Sequence, residues 1–386
     1  LSPFPIGSES AMKLSRRELI RYATASMLAA VTPGLIAQAS ASRLFREGII
    51  IDGLGFPGGL SSDENAVLSD LELEHLRESG LTATHLTVGD VGAMTPLAAF
   101  EKIVRSITHW ERQIDNHPAV LSRVRQAEDI IAAKKAGTTG LIYGLQDGVS
   151  FEDDLERLDA LQQLGVRIVQ PTYNRRNLLG DGCMEPADAG LSRTAVQAIE
   201  RMNELDILVD LSHCGRRTAA DAIRVSKRPV SFTHTGMYAL AEHPRHRTDE
   251  EIKAVANTGG IIGIFIMPYL AKGSQPTADD VIRHLEHAIK VAGEDHVALG
   301  TDGTISPTML TDEYKENFRK MTRRRAELGI AAPYETETGY LFASDLNTPA
   351  RFETLAELLL ARGHSESRIE KLLGANLLRL FSESWS

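Results

Sequence analysis

Cysteine is scarce: Cys183 and Cys214 are the only two in 386 residues. That excludes a disulfide-stapled scaffold and leaves room for one disulfide if the protein is exported. Aromatic residues make up 5% of the chain, and proline and glycine number 15 and 31, which excludes collagen-like and low-complexity classes. A mean hydropathy of −0.15 leaves no room for a multi-pass membrane protein. Basic charge is also short. Lys and Arg total 42 against 52 Asp and Glu, so the net charge is −10, and a nucleic-acid partner would bind against the global field. What is present, 42% hydrophobic and 24% charged residues, describes a globular chain suited to small-molecule chemistry.

Residues 1–41 read as an N-terminal extension and an export address. Met12 opens a basic segment with Lys13, Arg16, Arg17 and Arg21, followed by an uncharged stretch from Tyr22 to Ala41 that ends in the small-residue patterns Ala37-Gln38-Ala39 and Ala39-Ser40-Ala41. Ser15-Arg16-Arg17-Glu18-Leu19-Ile20-Arg21 resembles the twin-arginine export motif, which implies a periplasmic or otherwise exported protein; the other reading is an ordinary amphipathic N-terminal helix. Thr24, Ser26, Pro33 and Gln38 make the stretch too polar for a stable membrane span. Cleavage after Ala41 removes four basic and two acidic side chains and moves the net charge from −10 to −12.

Residues 42–386 alternate short β-branched runs with longer amphipathic stretches, the pattern of repeated βα units on a parallel sheet. Strands are expected at Gly48–Asp52, Ala83–Val88, Thr139–Leu145, Arg167–Pro171, Ile207–Leu211, Val230–Thr233, Ile261–Ile266 and Val297–Gly300. Helices are expected at Glu152–Gly165, Arg193–Leu205, Asp249–Thr258 and Thr277–Ala292. Eight such units without a linker predict an α/β fold, a single (β/α)8 TIM-type barrel, with helices at Ala350–Arg362 and Glu366–Leu373 packed outside.

Active sites of such barrels gather where the strands end, so the residues just after each strand are the candidates. They are Leu54 and Phe56, Gln146 and Asp147, Tyr173, His213, His234 and Asp302. His213 and His234, each following an apolar run on neighbouring strands, are suited to hold a divalent metal through neutral imidazole; the other reading is that each caps a loop backbone. Asp302, in Gly300-Thr301-Asp302-Gly303, is either a general acid/base or a turn former. Arg245, in His243-Pro244-Arg245-His246, either clamps a substrate carboxylate or is a solvated loop arginine.

Asp210-Leu211-Ser212-His213-Cys214, Thr233-His234, His243-Pro244-Arg245 with Asp249, and Gly300-Thr301-Asp302 together resemble the ordered motifs of the membrane (renal) dipeptidase family, peptidase family M19. The Leu179–Cys183 loop and the Leu359–Phe381 tail, with Arg362-Gly363-His364-Ser365 and Gly374-Ala375-Asn376, resemble bacterial members. The resemblance covers nearly all of residues 42–386. It implies a distorted TIM barrel with a two-zinc site that hydrolyses dipeptides, and a homodimer. His213 and His234 fall on the histidines of one zinc, Asp302 on the aspartate that handles the proton, and Arg245 on the arginine that grips the substrate carboxylate.

The departures are concentrated at the other zinc. Where the family has Asp-Gly-His-x-Asp, this chain reads Asp52-Gly53-Leu54-Gly55-Phe56, and neither Leu54 nor Phe56 can ligate. Gln146 replaces the bridging glutamate, and a neutral carboxamide does not offset the repulsion of two cations. Tyr173 stands at the family's further active-site histidine and becomes a substrate-binding candidate. The expected cofactor is therefore one zinc or none, held by His213 and His234 and completed by Gln146, Asp147 or water. Two functions follow: an exported dipeptidase-like hydrolase of small peptides or amides, or a non-hydrolytic periplasmic binding or maturation protein on the same scaffold, its ligand peptidic or amino-acid-derived. Cys183 and Cys214 fall in strand-end loops of adjacent units, near enough for oxidation to join them.

Overall fold

The computed structural model describes residues 42–59, 67–92 and 94–385. The expected export segment, residues 1–41, lies outside the described residues.

Eight parallel strands run side by side in chain order: β1 (Ile51–Asp52), β2 (Ala83–Thr87), β3 (Thr139–Leu145), β4 (Val166–Val169), β5 (Leu208–Asp210), β6 (Val230–Met237), β7 (Ile262–Ile264) and β8 (Val297–Leu299). Every residue of β3 is buried, as expected for a strand covered on both faces by helices and barrel core. The helices present single apolar stripes to the strands. In Pro96–Asn116 the residues Ile103, Ile107, Trp110 and Ile114 are buried at helical spacing, and Thr95 caps the first turn. Asp249–Asn257 starts on a capping box between Thr248 and Glu251.

The curved sheet nearly closes into a barrel, and the seam between β1 and β8 is joined in two ways. The amide of Gly53 donates to the Leu299 carbonyl at 2.9 Å. Beyond the strand ends, Gly55–Phe56 pairs in parallel with Gly303–Thr304. The buried Asp52 carboxylate reinforces the seam by accepting from the Thr301 amide at 2.7 Å, the Thr301 hydroxyl at 2.6 Å and the Leu54 amide at 3.2 Å.

All eight expected strands are present, with one instructive difference in β6. His-Thr-Gly after Thr233 reads as a strand end, yet β6 continues to Met237 because Gly236 and Met237 pair with His246 and Arg247. His234 therefore lies within the strand and is fully buried. At the C-terminus, Arg351–Ala361 and Glu366–Glu370 are joined by a third helix, Asn376–Ser384. Its Leu377, Leu380 and Phe381 share one apolar cluster with Ile51, Ala83, Ile168, Leu208 and Ala298, at the end of the barrel opposite the candidate site. Among the described residues no helix is long and apolar enough to cross a membrane.

Candidate functional site

The C-terminal ends of the strands enclose a cavity of about 130 Å³ whose lining includes Gln146, Tyr173, His213, Arg245 and Asp302. Five of the nine residues singled out in the sequence thus meet in one place. His234 lies directly behind His213, with ring centroids 5.1 Å apart.

Hydrogen bonds fix the tautomers of the two imidazoles. Asn174 donates its amide nitrogen to the Ile330 carbonyl at 2.7 Å, which turns its oxygen towards His213 Nδ1 at 2.6 Å. His213 Nδ1 must therefore carry the proton. For His234, the Thr233 hydroxyl donates to Asp210 at 2.6 Å and so accepts from His234 Nδ1 at 2.8 Å. Both Nε2 atoms are consequently bare, and both are buried without a partner. Burial, with Arg245 adding to it, holds both imidazoles neutral by moving their pKa well below the ordinary histidine value.

Asp302 sits at a tight corner with φ of 55°, and its amide donates to the Leu54 carbonyl at 2.8 Å. Burial raises its pKa to about 6, against the opposing pull of Arg245 and Arg325. Arg245 is not a solvated loop residue: it is 2% exposed and lies over the Phe265 ring. Its guanidinium donates to the Ser212 carbonyl and, at 3.5 Å, to that of His234, leaving further N–H groups for a carboxylate. Tyr173 stacks on His213 with centroids 4.0 Å apart.

Two candidates are committed to other partners. Gln146 donates its amide to the Thr87 hydroxyl at 2.8 Å, leaving its oxygen as the group offered to the cavity. Asp147 does not join the histidines. It accepts from Gly92 and Val149 amides, each at 3.3 Å, and from Asn177 at 3.1 Å, and it lines a separate cavity on the far side of Tyr173. The loop after β3 therefore keeps the outward direction that strand alternation assigns to residue 147. Cys183 and Cys214 are free thiols.

Sequence reasoning missed two groups. The first comes from the segment after β8, where the helix Asp312–Glu327 and the following loop roof the cavity with Phe318, Met321, Thr322, Arg325 and Glu335. Arg325 forms a two-pronged pair with Glu335 at 2.7 and 2.9 Å and reaches the Tyr173 hydroxyl at 3.3 Å. Tyr269 donates to Glu335 at 2.9 Å, and Arg325 holds that carboxyl below its usual value despite burial. Nothing in the run Arg323-Arg324-Arg325 itself singles out Arg325 from its two neighbours.

The second is His85, buried within β2, with Nδ1 at 2.8 Å from the Gly53 carbonyl and an unpartnered Nε2. It fits because residue 144 is glycine: a Cβ there would lie 2.0 Å from His85 Nε2. Gly144→Ala is accordingly expected to destabilise the barrel by roughly 1–3 kcal/mol, read as a lower denaturant midpoint. Among the described residues no group of three or more His, Cys, Asp or Glu side chains is arranged to hold a metal ion.

Comparisons with known proteins agree with this geometry. The family model described as membrane dipeptidase (peptidase family M19) matches residues 38–327. An uncharacterized dipeptidase of Schizosaccharomyces pombe is 32% identical over 216 residues, 54% of this chain and 52% of that protein. Dipeptidase verJ of Clonostachys rogersoniana is 26% identical over 269 residues, 69% of this chain and 61% of that protein. The aligned region thus spans about half to three-fifths of the length of these two relatives. A crystal structure of an amidohydrolase from Pseudomonas aeruginosa has 33% sequence identity and a TM-score of 0.76, covering 89% of this chain and 99% of that one. The chain belongs to the membrane dipeptidase family, peptidase family M19.

Proposed function

We propose that this protein is an exported dipeptidase-like hydrolase of small peptides or amides that uses at most one zinc ion. The observation that carries the reading is the convergence of Arg245, Asp302 and His213 on one roofed cavity, with His213 and its buried neighbour His234 each carrying a bare Nε2. The relatives named as dipeptidases support the substrate class. The family's homodimer is part of the same reading.

The residues fit the family's two zinc positions unequally. At the first, Leu54 and Phe56 offer only hydrocarbon, and Gln146 offers a neutral carbonyl oxygen; this position does not fit a cation. At the second, two neutral imidazoles with unpartnered Nε2 atoms fit two ligands of a single ion. Bound there, zinc would supply Lewis-acid activation of water and of the scissile carbonyl.

The remaining work falls to the chain's own side chains. Arg245 binds the substrate's terminal carboxylate with N–H groups not spent on Ser212 and His234. Tyr173 and the Arg325–Glu335 roof exclude bulk water and strengthen that ion pair. Asp302, its pKa raised to about 6, takes a proton from the attacking water and returns it to the leaving amine.

The second reading, a non-hydrolytic peptide-binding or maturation protein, is favoured by one observation: every side-chain ligand of the first zinc position is lost. Metal content separates the two. Elemental analysis of the purified protein is expected to find about one zinc per chain, with dipeptide turnover that His213→Ala reduces together with zinc retention. No bound metal and no turnover, with dipeptides raising the melting temperature, would establish the second reading instead.

A further inference from the structure

The space that the family gives to its first metal is not filled in by Leu54 and Phe56. A cavity of about 190 Å³ remains there, several times the ~30 Å³ that a water molecule occupies in the liquid. Leu54, Phe56 and Leu341 line it, with Thr87, Thr304 and Thr308 among the rest of the wall. Two of its three threonine hydroxyls have partners: Thr87 accepts from Gln146 at 2.8 Å, and Thr304 donates to the Ser306 carbonyl at 2.9 Å. Phe56 is braced edge-on against Trp110, with centroids 5.6 Å apart, so the wall has a fixed shape. Such a wall is suited to hydrocarbon, and the one ionisable side chain on it, Asp302, stands where the space meets the main cavity.

Its position relative to the main cavity sets what would occupy it. Gln146, Asp302 and Leu341 line both spaces, so the two meet at the polar boundary made by the Gln146 amide and the Asp302 carboxyl. Arg245 lines only the main cavity. A dipeptide whose carboxylate lies on Arg245 and whose amide lies against Asp302 would direct the side chain of its amino-terminal residue across that boundary.

We infer that this cavity is a specificity subsite for an apolar side chain on the amino-terminal residue of the substrate, standing where the family binds its first metal. The inference rests on the dipeptide reading above, and binding alone tests it. Uncleavable dipeptides with a CH2–NH link in place of the amide, a carboxyl-terminal glycine, and hydrogen, methyl or isobutyl at the amino-terminal side chain are titrated by calorimetry. Fully burying a leucine-sized side chain contributes about 1.5–3 kcal/mol, so the isobutyl compound is expected to bind roughly 10- to 150-fold more tightly than the hydrogen compound.

Phe56→Ala and Leu54→Ala are each expected to flatten that gradient while leaving the Kd of the hydrogen compound within about twofold, which also shows that the variants keep their carboxylate grip. Equal binding of all three compounds would overturn the subsite and leave the dipeptide reading intact. So would an equal gradient when the side chain is moved to the carboxyl-terminal residue. Failure of every compound to bind would remove the dipeptide reading and the subsite with it.

Discussion

Asp302→Asn is expected to lower kcat by roughly 10²- to 10⁴-fold with little change in KM, because it deletes proton transfer and spares the carboxylate grip of Arg245. The substitution isolates chemistry from conformation. Asn tolerates the 55° φ of residue 302 about as well as Asp, so the corner is kept; a residue serving only as a turn former would lose nothing. The pH dependence has a definite sign. A general base must be ionised, so kcat/KM should rise through about pH 6 and level off above it, and the Asn variant should lack that limb. Stability should run the other way. A carboxyl whose folded pKa lies above its unfolded value contributes most at low pH and loses that contribution as pH rises through about 6. The Asn variant should therefore match or exceed the wild type in denaturant midpoint at pH 8 while being nearly inactive.

Asp52→Ala should produce the largest loss of stability, roughly 3 kcal/mol or more, measured by equilibrium denaturation. The carboxylate takes three hydrogen bonds at the seam, two from Thr301 and one from Leu54. Alanine would leave two buried amides without an acceptor at the one junction that lacks a full strand ladder. The effect should reach the site, because Asp302 follows Thr301 and its amide is tied to Leu54. A variant that unfolds at the wild-type midpoint would show that the Gly53–Leu299 bond and the short outer strand pair hold the seam unaided.

The strands were legible because fully buried β-branched runs separated by helical periods admit few other folds, and strand-end placement then brought Arg245, His213, Gln146, Tyr173 and Asp302 to one cavity. Local spacing carried no information on direction or long-range pairing. Asp147 faces another cavity, as strand alternation allows, but the donors that hold it there include Gly92 and Asn177, 55 and 30 residues away. Arg325 is the last of three arginines on a charged helix, and its role depends on Glu335, ten residues on, and on Tyr173, 152 residues away. His85 looks like a strand residue of no special kind until the absence of a side chain at Gly144 is seen to make room for it.

The loop from Asp52 to Phe56 is held by main-chain bonds at Gly53, Leu54 and Phe56 and by the Asp52 carboxylate. None of these uses the side chain of residue 54 or 56. The side chains of residues 54 and 56 can therefore change between hydrocarbon and polar types without redesign of the fold, in either direction. Leu54→His, Phe56→Asp and Gln146→Glu together would place imidazole and carboxylate donors on an unaltered backbone. The seam separates the inheritance of the scaffold from the inheritance of its chemistry.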